Sequence, residues 1–127
     1  MQATTRVVHA VVRAFNRGDT AALNTLVAPA GRFQWFSAPG PDARLGPAAY
    51  RRSTLAAYVR KRHRHHEQLT LRRISTGPNA NGNFDMRLVR EADDYRRRLI
   101  EGKGAVDCTS SPLKLMVWSL GGRVRQR

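Results

Sequence analysis

The sequence has few cysteines, few acidic residues and no long apolar run, and each shortage excludes a class of protein. Its one cysteine, Cys108, cannot form an internal disulfide or supply a cysteine-based metal cluster, which agrees with a reducing compartment. No apolar run approaches the roughly 18 residues that a membrane helix requires. Arg6, His9 and Arg13 interrupt the apolar pattern of the N-terminus, which also lacks a small-residue cleavage site, so it does not resemble a secretion signal. We therefore expect a cytoplasmic protein.

The shortage of acidic residues makes the chain strongly basic. Only 9 Asp and Glu oppose 23 Lys and Arg, giving a formal charge of +14, and such a balance raises the question of nucleic acid. The densest basic stretch, 60–73, has no aromatic residue between its charges, whereas single-strand binding needs stacking platforms. No helix-turn-helix, zinc-finger or aromatic-strand signature appears either. A nucleic-acid-binding module stays open as an alternative, but a solvated basic surface is favoured.

The length and composition are typical of one folded domain. A chain of 127 residues, 41% of them apolar, can bury a core and falls within the usual domain size. We predict a single domain over 1–127, with its core at about 3–120 and a basic tail at 121–127.

The first part of the chain predicts three helices. Apolar residues at i, i+3, i+4 and i+7 mark one face of the first helix: Val8, Val11, Val12 and Phe15. Gly18 can end this helix in the left-handed conformation, and Asp19 or Thr20 can cap the next one, which stops before Pro29. A third helix is predicted from Ala48 to about His66.

The remaining segments show the alternation of β-strands. The aromatic run "RFQWFSA" predicts a strand, and 39–47 is a turn-rich loop. From Glu67 the period is two in four further runs: "EQLTLRRIS", "NFDMRLVRE", "RLIEGKGAVDC" and "LKLMVWSL". Gly102 and Gly104 at alternate positions indicate a sharp curl of the sheet. The fold class is therefore α+β, with a curved, mostly antiparallel sheet wrapped around the N-terminal helices to form a cone with an internal pocket.

This order of elements, and the phrase "AFNRGDTAALNTLVAP", resemble the nuclear transport factor 2 superfamily, particularly its bacterial SnoaL-like members. The late runs "GKGAVDC" and "LKLMVWSL" look like the last two strands of that family. The resemblance implies a deep, mostly apolar pocket and, in many members, a homodimer through the outer face of the sheet. Members include isomerases, dehydratases, epoxide hydrolases, polyketide cyclases and non-enzymatic binding proteins, so the shared fold settles no function.

Strand alternation predicts which face of the sheet lies under the helices. The apolar faces of strands and helices must meet to leave water. The predicted pocket lining is Phe15, Trp35, Tyr58, Phe84, Met86, Leu88, Ile100 and Val106. The last strand is apolar on both faces, so Met116 and Trp118 are predicted to face a second copy of the chain. The alternative is that one chain covers this strand on both sides.

The candidates for catalysis are Asp107, Asp85, Arg87 and His63. The resemblance implies a carboxylate inside the cone, with an arginine or tyrosine as donor. Alternation places Asp85, Arg87 and Asp107 on the polar side of the strands, which favours a surface role, although a bulge near Gly102 or Gly104 would move Asp107 to the other face.

The histidines near the end of the third helix do not have good metal-ligand spacing. His63 and His66 share a helical face and Glu67 lies at i+4 from His63, but His65 diverges from them. We predict no metal and no cofactor, and keep His63 as a possible base at the mouth of the pocket.

The function that these observations favour is binding of a small apolar organic molecule by a cytoplasmic homodimer. The sequence does not establish catalysis. The alternative is an isomerase, hydratase or cyclase that uses a strand carboxylate. A buried carboxylate beside a donor would favour catalysis over simple binding.

Overall fold

A computed structural model of the chain describes residues 2–29, 31–37, 46–49, 51–76 and 82–122. The elements, in chain order, are α1 Gln2–Arg17, α2 Thr20–Leu26, β1 Gln34–Ser37, β2 Gly46–Ala49, α3 Arg52–Arg64, β3 Gln68–Thr76, β4 Asn83–Ala92, β5 Tyr95–Asp107 and β6 Lys114–Gly122. Within these ranges, no helix is long and apolar enough to cross a membrane. Strand β6 takes in the first two residues of the predicted basic tail, and 123–127 lie outside the described residues.

The first two helices meet at the corner that the sequence predicts. Gly18 has a φ of 65°, a conformation that costs glycine little, and it ends α1. Asp19 then caps α2, since its carboxylate accepts a hydrogen bond of 3.0 Å from the Ala22 N–H. The apolar face predicted for α1 is confirmed, because Val8, Val11, Val12 and Phe15 are all buried.

The six strands form one mixed sheet in the order β2-β1-β6-β5-β4-β3. Strands β1 and β6 are parallel, and every other neighbouring pair is antiparallel. The α+β class and the mostly antiparallel sheet are thus confirmed. The sequence prediction missed β2, which occupies the end of the predicted loop and the start of the predicted third helix. Pro47 lacks an N–H and fits this edge strand, while α3 begins only at Arg52. Residues 39–45 of the predicted loop lie outside the described residues.

The predicted facing of β4 and β5 is confirmed. Their buried positions form one core with the apolar faces of α1, α2 and α3: Phe84, Met86, Leu88, Ile100 and Val106. The helices therefore cover this face of the sheet, and the opposite face carries exposed polar residues such as Asp85 and Lys103.

Strand β6 corrects the predicted position of Trp118. Ala105 pairs with Val117, but Val106 pairs with Leu115, so Met116 is an extra residue at a β-bulge. The bulge reverses the facing of the strand, and Leu115, Trp118 and Leu120 all enter the core. Trp118 is fully buried and cannot face a partner, so that prediction is wrong. Met116 is half-buried and packs against the core.

Candidate functional site

An aromatic cluster occupies the interior between the sheet and the helices. Trp35 of β1 pairs directly with Trp118 of β6, and their rings stack with centroids 5.2 Å apart. Phe15 of α1 stacks on Trp35 at 6.0 Å, and Tyr58 of α3 lies tilted against Trp35 at 6.5 Å. Phe84 contacts Trp118 at 6.2 Å. Residues from three strands and two helices thus build one aromatic surface, because parallel β1 and β6 place their tryptophans side by side on the same face.

Four polar atoms in and beside this cluster are buried without a hydrogen-bond partner among the described residues. They are Trp35 Nε1, Ser37 Oγ, Tyr58 Oη and Trp118 Nε1. Burying such a group without a partner costs about 1–3 kcal/mol in proteins, so native interiors rarely leave several together. A mostly apolar interior with a few convergent polar groups is typical of a small-molecule site.

The Tyr58 hydroxyl is a hydrogen-bond donor at neutral pH. Burial raises its pKa above the usual 10.0, while the nearby Arg90 guanidinium acts in the opposite direction. The Ser37 hydroxyl approaches Tyr58 and also tends to lower this pKa, although neither oxygen makes a hydrogen bond of good geometry. Tyr58 therefore stays protonated and can donate to an oxygen placed in the interior.

A buried ionic cluster lies next to the aromatic cluster, and we define it as Arg62, Glu67, Arg90 and Asp94. The Glu67 side chain is inaccessible to solvent. Its Oε1 accepts a hydrogen bond from Arg62 Nε, and its Oε2 accepts one of 2.9 Å from Arg90 Nε. Arg90 Nη2 adds a contact of 3.3 Å to Oε1. Both carboxylate oxygens are therefore engaged by guanidinium groups from α3 and β4.

Asp94 completes the ionic cluster at the surface. Arg62 donates two hydrogen bonds to its carboxylate, at 2.9 and 2.6 Å. These bonds lower the pKa of Asp94 to about 2 and raise that of Arg62. The Arg90 guanidinium lies 4.5 Å from the centre of the Tyr95 ring, which adds a cation–π contact.

Comparisons with known proteins identify the fold. No protein-family model and no curated protein matches the chain significantly. A protein of unknown function with a cystatin-like fold from Methylobium petroleophilum PM1 superposes with a TM-score of 0.72 at 12% identity, covering 99% of this chain and 79% of that one. An NTF-2 like protein of unknown function from Silicibacter pomeroyi DSS-3 gives 0.60 at 14% identity, covering 98% and 94%. The chain has the NTF2-like, or cystatin-like, fold.

A third similar structure is that of a protein whose name refers to a function. IdmH from Streptomyces antibioticus, described as a candidate polyketide cyclase, superposes with a TM-score of 0.61 at 15% identity, covering 91% of this chain and 88% of that one. Likeness at these identities establishes the architecture and leaves the chemistry to the residues of the site.

The NTF2-like fold does not bring the strand candidates Asp85, Arg87 and Asp107 together. Asp85 and Arg87 are exposed on the face opposite Met86 and Leu88. Asp107 follows Val106 at the end of β5, and both residues are buried. Hydrogen bonds from Thr109 are the largest cause of its lowered pKa, and Arg32 also binds it. The bulge of this region falls in β6 rather than β5, so it does not turn Asp107 toward the interior.

The histidines also have separate partners in the NTF2-like fold. The exposed His63 packs its ring over Gly18, at the corner between α1 and α2. His66 lies 2.7 Å from the Asp93 carboxylate, and His65 lies 3.8 Å from that of Asp94. Glu67 turns toward the arginines of the ionic cluster. In the part of the chain that the structure describes, no three metal-binding side chains converge.

Sequence reasoning missed the ionic cluster, although part of its signal lay in the strand pattern. Arg90 continues the buried row of β4 formed by Phe84, Met86 and Leu88. An arginine on such a row requires a buried acid as partner. That partner, Glu67, is 23 residues away in sequence and precedes its strand, so alternation alone could not identify it.

Proposed function

We propose that this protein binds a small, largely apolar organic molecule in the interior of its NTF2-like fold. The observation that carries the proposal is the set of four buried, unpartnered polar atoms on Trp35, Ser37, Tyr58 and Trp118. A carbonyl or hydroxyl group of a ligand would satisfy one or more of them while its apolar body contacts the aromatic cluster.

The proposed lining extends the set expected from sequence. That set forms a single cluster with its eight members buried or half-buried: Phe15, Trp35, Tyr58, Phe84, Met86, Leu88, Ile100 and Val106. We add Ser37 and Trp118, because their buried polar atoms belong to the same interior. We expect the ligand to be planar, since flat rings stack well on aromatic side chains.

The two tryptophans give a direct test. They are the only ones in the chain, so intrinsic fluorescence reports on the site. We would titrate the protein with 2-acetylnaphthalene and with 2-ethylnaphthalene, which differ mainly by a carbonyl oxygen. The ketone should bind about 5–10-fold more tightly, since a net hydrogen bond contributes about 1 kcal/mol. Tyr58→Phe should remove this preference and leave binding of the hydrocarbon intact.

A matched control is Tyr95→Phe, because Tyr95 lies under Arg90 in the ionic region. This variant should retain the preference for the ketone. The proposal is wrong if neither naphthalene changes the fluorescence at its solubility limit. Equal binding of both compounds to the wild-type protein would contradict the role of the polar atoms.

A catalytic function of the isomerase, hydratase or cyclase type is the second candidate. It draws on Tyr58, a neutral donor that could stabilise a developing oxyanion, and on the likeness in fold to IdmH. Asp85 is exposed, the buried Asp107 is held by Thr109 and Arg32 at the end of β5, and both oxygens of Glu67 are bound by arginines. We therefore give less weight to a strand carboxylate as the base. Proton–deuterium exchange at the acetyl group of 2-acetylnaphthalene, followed by NMR, tests this function. Exchange that needs Tyr58 supports it, and exchange at the uncatalysed rate rules it out for this probe.

We also propose that the protein acts in the cytoplasm as a homodimer, formed through the outer face of the sheet. With Trp118 in the core, the apolar residue that β6 presents on this face is Val117, which pairs with Ala105 and Gln34. Val117 is half-buried in the single chain, and covering it with a second copy would remove further apolar surface from water.

A further inference from the structure

On β4 and β5, the side chains that face the helices form a row along each strand, and each row ends in an arginine. On β4 the row that faces the helices runs through Met86 and Leu88 to Arg90, and on β5 it runs through Ile100 to Arg98. Arg90 and Arg98 pair directly across the two strands, so their side chains leave the same face of the sheet. The interior is thus aromatic toward one end of these strands and cationic toward the other.

Among the residues that the structure describes, the charges at the cationic end do not balance. Glu67 and Asp94 compensate Arg62 and Arg90 within the ionic cluster. Arg98 adds a positive charge directly opposite Arg90, an arrangement that is destabilising by itself. Arg98 is half-buried, and its Nε is buried with no hydrogen-bond partner among the described residues. A guanidinium whose buried Nε has no partner in the described part of the chain is suited to binding an anion.

The geometry points to a carboxylate-binding subsite at Arg98, so that the ligand is an amphipathic carboxylic acid. The inference rests on the proposed function, because the apolar body of the acid would occupy the aromatic cluster. One uncompensated guanidinium matches a single negative charge, and its planar fork fits a carboxylate. A phosphate dianion fits less well, because Glu67 and Asp94 stand nearby.

The strand register sets the length of such a ligand. Arg98 is two residues from Ile100 and six from Gly104, the residue that pairs with Trp118. These separations correspond to about 7 Å and about 20 Å along the strand. The arginine side chain spans part of the longer distance, so an aromatic acid with a short flexible linker would reach both ends.

A matched pair of probes tests the subsite, 4-(2-naphthyl)butanoate and its neutral amide, at pH 7.5 with tryptophan fluorescence as readout. The carboxylate should bind the wild-type protein about 10-fold more tightly than the amide. Arg98→Gln should lower carboxylate affinity to that of the amide and leave amide affinity unchanged. Arg97→Gln is the control, because Arg97 lies next to Arg98 in β5 but forms an ion pair with Glu91, 3.6 Å away. This variant should retain the 10-fold preference.

The stability of the unliganded variant provides a second readout. Arg98→Gln removes an uncompensated charge, so the urea midpoint should stay equal or rise, whereas loss of a structural arginine would lower it. The inference is overturned if the amide binds as tightly as the carboxylate, or if Arg98→Gln spares carboxylate binding. If neither naphthyl compound binds, and 2-acetylnaphthalene also fails to bind, the proposed function itself is wrong. Binding of the neutral compounds alone would overturn only the subsite.

Discussion

Glu67 connects three secondary-structure elements through its buried side chain. It precedes β3 and contacts Arg62 of α3 and Arg90 of β4 through both carboxylate oxygens. The pairs are desolvated, so solvent screens them little. The contacts fix the end of α3 against the sheet, and they also fix the Arg90 guanidinium beside Tyr58, whose pKa it influences.

Replacing Glu67 should therefore be severely destabilising. Glu67→Gln removes the anion that the two buried guanidinium groups share, and Arg62 keeps only its bonds to Asp94. We expect a loss of about 3–5 kcal/mol in the free energy of unfolding, measured with urea. Glu101→Gln is the control, because Glu101 is exposed on the outer face, and it should change stability by less than about 0.5 kcal/mol. A similar small loss in Glu67→Gln would contradict the role assigned to the buried pairs.

Asp94 should make stability depend on acid pH. Hydrogen bonds from Arg62 lower its pKa from 3.8 to about 2, so the folded state binds fewer protons than the unfolded state between these values. The stabilisation is complete above about pH 5 and is lost as the pH falls through about 2. Since the carboxylate is 41% exposed, solvent screening reduces its contribution to about 1 kcal/mol.

Urea unfolding at several values between pH 2 and 7 would measure this contribution. At pH 7, Asp94→Asn should lower the free energy of unfolding by about 1 kcal/mol. Below pH 5 its free energy of unfolding should fall less with decreasing pH than that of the wild type. Asp85→Asn, on the exposed outer face of β4, should keep the wild-type dependence. If Asp94→Asn kept the wild-type pH dependence in acid, other groups would be responsible for the loss of stability there.

At the scale of elements, the close approach of β5 and β6 places Trp118 in the interior. Gly104 pairs with Trp118, and a Cβ on Gly104 would lie 2.1 Å from the Val117 carbonyl oxygen and 2.5 Å from Phe84 Cζ. The missing side chain lets the Phe84 ring reach Trp118 across the strand. Gly104, one of the two glycines that indicated a curl in the sequence, thus makes space for an aromatic ring.

Adding a methyl group at Gly104 should disturb both contacts. Gly104→Ala is expected to lose about 1–3 kcal/mol, as overpacked cores do, and to shift the tryptophan emission because Trp118 must move. Lys103→Ala, at the neighbouring exposed position, serves as the control for a change in the same strand. Wild-type stability and emission in Gly104→Ala would show that the sheet accommodates the methyl group freely.

At the scale of the whole molecule, the outer face of the sheet is the surface through which we expect a dimer. Light scattering of the wild-type protein should give about twice the mass of one chain, 14.3 kDa. Val117→Arg should give a folded monomer, because a charge would be buried without a partner in the interface. Ala57→Arg adds the same charge at an exposed position of α3, away from the outer face of the sheet, and should stay dimeric. A monomeric wild type in dilute solution would contradict this assembly.

The sequence by itself determined the local elements and the facing of most strands. The period of 3.6 in α1, the corner at Gly18 and Asp19, and the alternation from Phe84 to Leu88 depend on neighbours within a few residues, where backbone geometry fixes which side chains share a face. For the same reason the predicted interior set is one cluster in the structure.

Only the tertiary structure decided the facing of β6 and the partners of the buried polar residues, because local periodicity does not encode either. The bulge at Met116 reversed the facing of β6 and moved Trp118 from the predicted interface into the core, since one extra residue inverts every position that follows. The contact between Arg90 and Glu67 was equally beyond a local pattern. Glu67 reaches Arg90 only after α3 packs on the sheet, because buried charges find their partners through long-range contacts.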